Sequence, residues 1–273
     1  MSDQPLVRLE NVRLAFGEKV ILDGFNLAVE KKERLVVMGQ SGSGKSTLLR
    51  LICGILKPTS GSVKFGYLEI PKLKRSLLNQ LRKKVGMVYQ YSALISSINV
   101  RDNLALPLEE LTRKTPAEID KLVDEKLDMV NMRESKTAMP AELSGGMKKR
   151  IGLARALMLE PELILYDEPS AGLDPVISSV IDELMIHVSE QTGATSVIVT
   201  HEMESAFRIA SRMAMVYQGK VIEIGTPQEM RSSRNPVVVQ FLSGDTHGPI
   251  LEAAGQPPVE AEEEPAKPPR RKR

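Results

Sequence analysis

Cysteine, tryptophan and long apolar runs are the features most lacking in this 273-residue sequence. Cys53 is the single cysteine, which excludes an internal disulfide and favours a reducing compartment. Because it lies among Leu51, Ile52 and Ile55, we expect a buried apolar side chain rather than a reactive thiol. No apolar run reaches the roughly 20 residues of a bilayer-spanning helix, and the first residues do not match a secretory signal. We therefore expect a cytoplasmic chain whose membrane contacts go through a partner.

An excess of charge of one sign is also missing. The sequence has 37 basic and 35 acidic residues, for a net charge of +2, which argues against nucleic acid as the main partner. Residues 243–273 differ from the rest, since proline-rich sequence carries an acidic block and then a basic block. We expect this C-terminal extension to be a largely disordered tail. It could simply aid solubility, or its "PPRRKR" end could contact acidic lipid headgroups or RNA.

Short alternating and apolar segments predict the fold class. Near the N-terminus, "LVRLENVRLAF" and "VILDGFNLAV" alternate as antiparallel strands do. Further on, "ELILYDEP" and "TSVIVTHE" are separated by a helical segment, which predicts a mostly parallel sheet covered by helices. Helical periodicity dominates from about residue 92 to 160. The sequence thus predicts an α/β domain over residues 1–242, with an N-terminal antiparallel β subdomain and an inserted α-helical subdomain at about 92–160.

The stretch "GQSGSGKS" matches the pattern G-x-x-x-x-G-K-[ST] between a predicted strand and a predicted helix. Its glycines allow backbone N–H groups to surround phosphate oxygens at the positive end of the helix. Lys45 would reach the β- and γ-phosphates of ATP, and Ser46 would bind Mg²⁺. A plain glycine-rich turn is the alternative, which the flanking strand and helix disfavour. The motif predicts a P-loop NTPase core whose nucleotide contacts are Gly39, Gln40, Ser41, Gly42, Ser43, Gly44, Lys45, Ser46 and Thr47.

A second motif, "LILYDEP", places Asp167 and Glu168 at the carboxyl end of a predicted buried strand. Ligands bind at that end of such sheets. Asp167 would hold Mg²⁺, and Glu168 could accept a proton from an attacking water. An Asp-Glu pair is weak evidence alone, but here it follows a phosphate-loop motif and precedes "PSAGLD".

The third motif is "ELSGGMKKR", in which Ser144 can cap a helix and Gly145 and Gly146 allow close backbone approach. Alone it would be read as an ordinary helix start. Together with the other two motifs, it makes residues 6–240 resemble the nucleotide-binding subunit of ABC transporters. The resemblance implies a head-to-tail dimer with a second copy of the chain. Each ATP would lie between the phosphate loop of one protomer and the Ser144–Gly146 segment of the other.

The resemblance also implies roles for residues without a strict motif. Gln90 would sense Mg²⁺ and take part in catalysis, and His201 would contact the γ-phosphate. Asp174 would belong to a loop that crosses the dimer interface. Phe16 would stack on adenine, although a core position is an equal alternative. Without the resemblance, Gln90 would be an ordinary loop residue and His201 a structural one.

Met147 departs from the family pattern, which usually has glutamine there, and methionine lacks the hydrogen bonds of an amide. "LSGGM", "EPSAGLDP" and "SALISSINVRDNLALPL" make the chain similar to the Mla/Mce-type ATPases that move phospholipids across the bacterial envelope. That similarity implies a separate integral membrane permease, an Mce-domain lipid-binding protein and a peripheral position on the cytoplasmic side of the inner membrane. Import of a small solute such as an amino acid is the first alternative. A soluble ABC ATPase acting on DNA or ribosomes and an inactive regulatory module are the others.

Overall fold

The computed structural model describes residues 4–253, and their chain folds as two compact units, up to Ser232 and from Ser233. The first unit contains two sheets. The smaller one has four strands in the order β2-β1-β4-β5, all antiparallel. Its members are β1 (Val7–Phe16), β2 (Lys19–Val29), β4 (Ser60–Phe65) and β5 (Leu68–Glu69).

The larger sheet has six strands in the order β10-β9-β3-β8-β7-β6. These are β3 (Arg34–Met38), β6 (Val85–Val88), β7 (Leu163–Asp167), β8 (Thr195–Val199), β9 (Arg212–Tyr217) and β10 (Lys220–Gly225). All neighbouring pairs are parallel except β9 and β10, which form an antiparallel hairpin with Gln218-Gly219 at its turn. Central strands β3, β7 and β8 are almost wholly buried, which explains their continuous apolar sequences.

Helices cover this sheet and fill the long connection between β6 and β7. The helices of the first unit are α1 (Lys45–Ile52), α2 (Arg75–Lys83), α3 (Val100–Leu111), α4 (Pro116–Met129), α5 (Gly145–Ala156), α6 (Pro175–Thr192), α7 (Met203–Ile209) and α8 (Pro227–Arg231). Thr115 and Glu118 form a capping box at the start of α4, with Pro116 in the first turn. The predicted α/β fold with an antiparallel N-terminal sheet is confirmed.

The second unit contains α9 (Pro236–Ser243) and α10 (Pro249–Ala253). Buried Gln240 joins them, since its Oε1 accepts from the Ile250 N–H at 2.8 Å. This unit begins ten residues before the domain boundary expected after residue 242. Residues 249–253 of the expected disordered tail are helical, and residues 254–273 lie outside the described residues. No helix within residues 4–253 has both the length and the apolar character that crossing a membrane requires.

Candidate active site

The glycine-rich loop joins β3 to α1, and Lys45 is the first residue of that helix. Its Nζ turns back over the loop and donates to the carbonyl oxygens of Gly39 at 2.8 Å and Gln40 at 3.0 Å. The side chain is only 8% exposed. Burial lowers the pKa of Lys45, while the charges of Glu168 and Asp167 oppose that effect. A buried cation whose acceptors in the described part of the chain are two carbonyl oxygens is well placed to receive an anionic ligand.

Gly39 and Ser43 show why this loop suits phosphate. Gly39 has φ of +151°, and a Cβ there would lie 2.2 Å from the carbonyl oxygen of Val216, so only glycine fits. The Ser43 N–H donates to Gln40 O at 3.2 Å, which closes the turn. The Ser43 Oγ is buried and has no hydrogen-bond partner among residues 4–253. Buried hydroxyl groups normally have a partner, so this one fits a phosphate oxygen.

Ser46 and Asp167 meet although 121 residues separate them. The Ser46 Oγ, in the first turn of α1, donates to Asp167 Oδ1 at 2.8 Å. Asp167 is the last residue of β7, so the pair lies at the carboxyl edge of the parallel sheet. Hydroxyl and carboxylate oxygens are hard ligands of the kind that Mg²⁺ prefers. The donor set therefore fits the divalent cation expected here.

Glu168 and His201 form the second polar pair at this edge. Glu168 follows β7 with a left-handed φ of +49°, and its N–H donates to Val199 O at 3.0 Å. One carboxylate oxygen lies 3.0 Å from His201 Nδ1, and the other accepts from the His201 N–H at 3.3 Å. The glutamate side chain is 13% exposed and the histidine 61%. A carboxylate that contacts the imidazole and still reaches solvent can take a proton from water.

Gln90 follows β6, beside Glu168, because Val88 of β6 pairs with Tyr166 of β7. The Nζ of Lys149 in α5 donates to the Gln90 carbonyl and, at 3.3 Å, to the Glu168 carbonyl. Burial lowers the pKa of Lys149, against the charges of Glu202 and Glu168. Sequence reasoning missed Lys149, because nothing in "GGMKKR" distinguishes the lysine that turns inward from its neighbour.

Ser144 caps α5 by accepting from the Met147 N–H at 3.3 Å, as predicted. Asp174 likewise caps α6, since its Oδ1 accepts from the N–H groups of Val176 and Ile177, each at 3.0 Å. An open cleft of about 500 Å³ lies between these two helix starts. Its lining is Ser144, Gly145, Gly146, Met147, Arg150, Gly172, Leu173, Asp174 and Ile177. The structure thus brings Ser144–Gly146 together with Asp174, and no residue of 39–47 is in that lining.

Phe16 ends β1 with 55% of its surface exposed, so the core position considered as an alternative is wrong. Ser41 and Gly42 are exposed in the loop, and Thr47 is half-buried in α1.

Cys53 is buried, and burial raises the pKa of its thiol to about 11, as expected for an inert side chain.

A family model described as "ABC transporter" matches residues 22–171, more than half of the chain. The chain belongs to the ABC transporter family. It is therefore an ATP-binding cassette, and the predicted ATPase class is confirmed. Its three motifs carry the family resemblance, while the individual roles of the site residues stay predictions.

Curated relatives share most of the chain's length. The Haemophilus influenzae protein named "Intermembrane phospholipid transport system ATP-binding protein MlaF" is 40% identical over 91% of this chain and 94% of its own. The Escherichia coli K12 protein of the same name is 38% identical over 90% of this chain and 91% of its own. A Mycobacterium leprae "probable ribonucleotide transport ATP-binding protein" is 37% identical over 89% of this chain and 70% of its own.

Solved structures of ABC cassettes share the fold. One is a dimeric cassette in a post-hydrolysis state bound to ADP and Pi, 33% identical, with a TM-score of 0.74 over 81% of this chain and 98% of that one. Another is cbiO1 of Clostridium perfringens, part of the cbiONQ transporter complex, 30% identical. Its TM-score is 0.78 over 85% of this chain and 92% of its own.

Proposed function

We propose that this ABC ATPase powers phospholipid transport in the bacterial envelope through a separate membrane permease, from the cytoplasmic side of the inner membrane. The MlaF relatives support phospholipid as the substrate class, because they match at 38–40% identity over nearly their whole length. The mycobacterial relative carries a ribonucleotide name, but this chain covers only 70% of it. Phospholipid is thus the substrate that similarity over the full length favours.

The Glu168–His201 contact beside the Ser46–Asp167 pair is the observation that carries the proposed chemistry. Glu168 accepts the proton of the attacking water, because its carboxylate is fixed at one side and open to solvent at the other. His201 holds this carboxylate through its ring and its N–H, and its exposed ring is free to approach the γ-phosphate. Lys45, the buried cation of the loop, binds the triphosphate.

The remaining site residues bind nucleotide and metal. Ser46, Asp167 and Gln90 would hold Mg²⁺, which neutralises phosphate charge when bound. The backbone of residues 39–47 and the Ser43 hydroxyl, which has no hydrogen-bond partner within residues 4–253, would contact phosphate oxygens. Phe16, exposed at the end of β1, would pack on the adenine ring.

ATP binding is proposed to join two copies of the chain head to tail. The cleft between Ser144 and Asp174 is open, and its volume of about 500 Å³ is in the range of small-molecule sites. None of its lining comes from the phosphate loop, so one chain presents two half-sites. The dimeric state of the ADP-bound relative supports this arrangement.

The segment after Gln90 is proposed to bind the permease. Tyr91 is 86% exposed and Ile95 is 41% exposed, whereas Leu104 and Leu108 are buried and stabilise α3. Of the other apolar residues of that segment, Leu94, Ile98 and Leu106 are half-buried. This exposed surface next to Gln90 would sense the nucleotide state and receive a short helix of the permease.

Substitution of Ile95 tests this docking surface. Ile95→Glu should abolish co-purification with the permease while ATP binding and thermal stability stay normal. Ile55→Glu is the matched control, since Ile55 is 56% exposed after α1 and should not affect the complex. Retained co-purification of Ile95→Glu would exclude this segment as the docking site.

The substrate class is tested on the complete complex. The chain is purified with its membrane partners and placed in lipid nanodiscs, and bound lipids and partner proteins are identified by mass spectrometry. We expect bound phospholipid, an Mce-domain protein in the complex and ATPase activity that responds to phospholipid. A solute-binding protein with stimulation by an amino acid would favour the small-solute importer. A chain with no membrane partner would favour the soluble ABC ATPase.

A further inference from the structure

We propose that Lys149 is a positioning residue for ATP hydrolysis, which holds the main chain of Glu168 and Gln90 in one arrangement; this inference rests on the proposed function. Lys149 lies in the second turn of α5 and is 6% exposed. Its single ammonium group donates to the carbonyl oxygens of Gln90 and Glu168. It thereby joins three segments of the site, namely the ends of β6 and β7 and the helix that Ser144 caps.

The sheet register explains why such a bridge is needed. The ladder between β6 and β7 ends at the pair of Val88 and Tyr166. Gln90 and Glu168 each lie two residues beyond that pair, where the parallel ladder no longer joins their backbones. Lys149 takes over this connection with hydrogen bonds from a charged donor, which are stronger than those from a neutral one.

The backbone of Glu168 is strained and therefore needs support. Its φ of +49° is in the left-handed region, which residues other than glycine rarely adopt. Its N–H is held by Val199 O at 3.0 Å and its C=O by Lys149 at 3.3 Å. With both main-chain groups fixed, the side chain points to His201. Misplacing a catalytic group by about 1 Å can cost roughly a hundredfold in rate.

The rest of the same α5 face contacts the segment that follows Gln90. Arg155 donates to the carbonyls of Ser92 at 2.9 Å and Ala93 at 2.7 Å. A Cβ at Gly152 would be 3.3 Å from Ser92 Cβ, so the helix packs closely there. Lys149 is the point at which this face also reaches Glu168. A shift of α5 or of residues 90–93 would therefore be transmitted to the main chain of the base.

Three variants of the full-length chain test the proposal. Lys149→Met removes the ammonium group but keeps an unbranched apolar chain with good helix propensity. Lys149→Arg keeps a charged donor at the same site. Lys148→Met is the matched control, because Lys148 is the adjacent residue of the same helix and makes no contact with Glu168 among the hydrogen bonds and ion pairs of residues 4–253. For each variant we would measure kcat and KM for ATP, the affinity for a non-hydrolysable ATP analogue and the thermal midpoint.

We expect Lys149→Met to lower kcat by about 10- to 100-fold, with KM and analogue affinity changed by less than about threefold. Lys149→Arg should recover most of the lost kcat, and Lys148→Met should match wild type. A purely structural lysine would instead change stability and analogue affinity together with kcat. If Lys149→Met does not fold, Lys149→Gln, which can donate to one carbonyl, should show the same loss confined to kcat.

Normal kcat in Lys149→Met, or an equal loss in Lys148→Met, would overturn the role of Lys149. Failure of Lys149→Arg to recover activity would also overturn it. These outcomes are separate from failure of the proposed function, for which the wild-type chain itself would not hydrolyse ATP. An active wild type, an inactive Glu168→Gln and an unaffected Lys149→Met would reject only the inference about Lys149.

Discussion

Replacing Gly39 with alanine should distort the phosphate loop far more than replacing a glycine that is free of contacts. The new Cβ would lie 2.2 Å from Val216 O and 3.0 Å from Ser43 Oγ. Restoring ordinary contact with the carbonyl requires a shift on the order of 1 Å. The φ of +151° adds strain, and together these effects should cost about 3 kcal/mol of unfolding free energy. For a domain of this size that lowers the thermal midpoint by about 6–12 °C.

The shift also affects ligand binding, because the Gly39 carbonyl accepts a hydrogen bond from Lys45. We expect the affinity for ATP to fall about 10- to 100-fold in a calorimetric titration. Gly66→Ala is the reference, since Gly66 also has positive φ but nothing within 4 Å. Gly66→Ala should lower the free energy of unfolding by about 1 kcal/mol and leave the affinity for ATP unchanged. This account of the loop would be refuted if the two variants showed equal decreases in thermal midpoint and Gly39→Ala bound ATP as tightly as wild type.

Three further experiments test separate parts of the structure. Lys45→Met should reduce ATP affinity at least about tenfold by removing the loop's cation, which a titration with labelled ATP measures; unchanged affinity would contradict the phosphate-loop assignment. Arg208→Met should lower the free energy of unfolding by about 2 kcal/mol at pH 7. The variant loses the ion pair in which the Arg208 guanidinium lies 2.7 Å from the fully buried carboxylate of Asp182. Burial already raises the pKa of Asp182, so the stability difference between Arg208→Met and wild type should shrink as the pH falls and the carboxylate is protonated. A difference in thermal midpoint that stays the same at every pH would argue otherwise. In a Glu168→Gln background, ATP and Mg²⁺ should convert monomer to dimer in light scattering, and Ser144→Ala should weaken that dimer; a mass independent of ATP would exclude the head-to-tail arrangement.

Local patterns were sufficient to predict the fold and to single out residues that the structure brings together at the carboxyl edge of the parallel sheet. The contact between Ser46 and Asp167 spans 121 residues, but each residue lies in a motif whose position on the sheet edge is fixed by strand polarity. Gly219 marks the turn between β9 and β10 in the sequence, since such hairpin turns need residues with positive φ, which glycine adopts without strain.

Other features depend on tertiary packing that no short pattern encodes. Lys148 and Lys149 are chemically identical in the sequence, and only the packing of α5 turns the second one inward. Phe16 continues the inward-facing alternation of Val12 and Leu14, but it lies at the end of the strand and is exposed. The division of the chain after Ser232 also leaves no clear compositional mark in the sequence.

Hydrolysis by the Glu168→Gln variant is the most direct test of the central claim that this site hydrolyses ATP with Glu168 as the base. The amide keeps the size of the side chain but cannot take a proton from water. The variant should bind ATP as wild type does and lose roughly a hundredfold or more in kcat. Near-normal hydrolysis by the purified variant would contradict the claim and place the base on another residue.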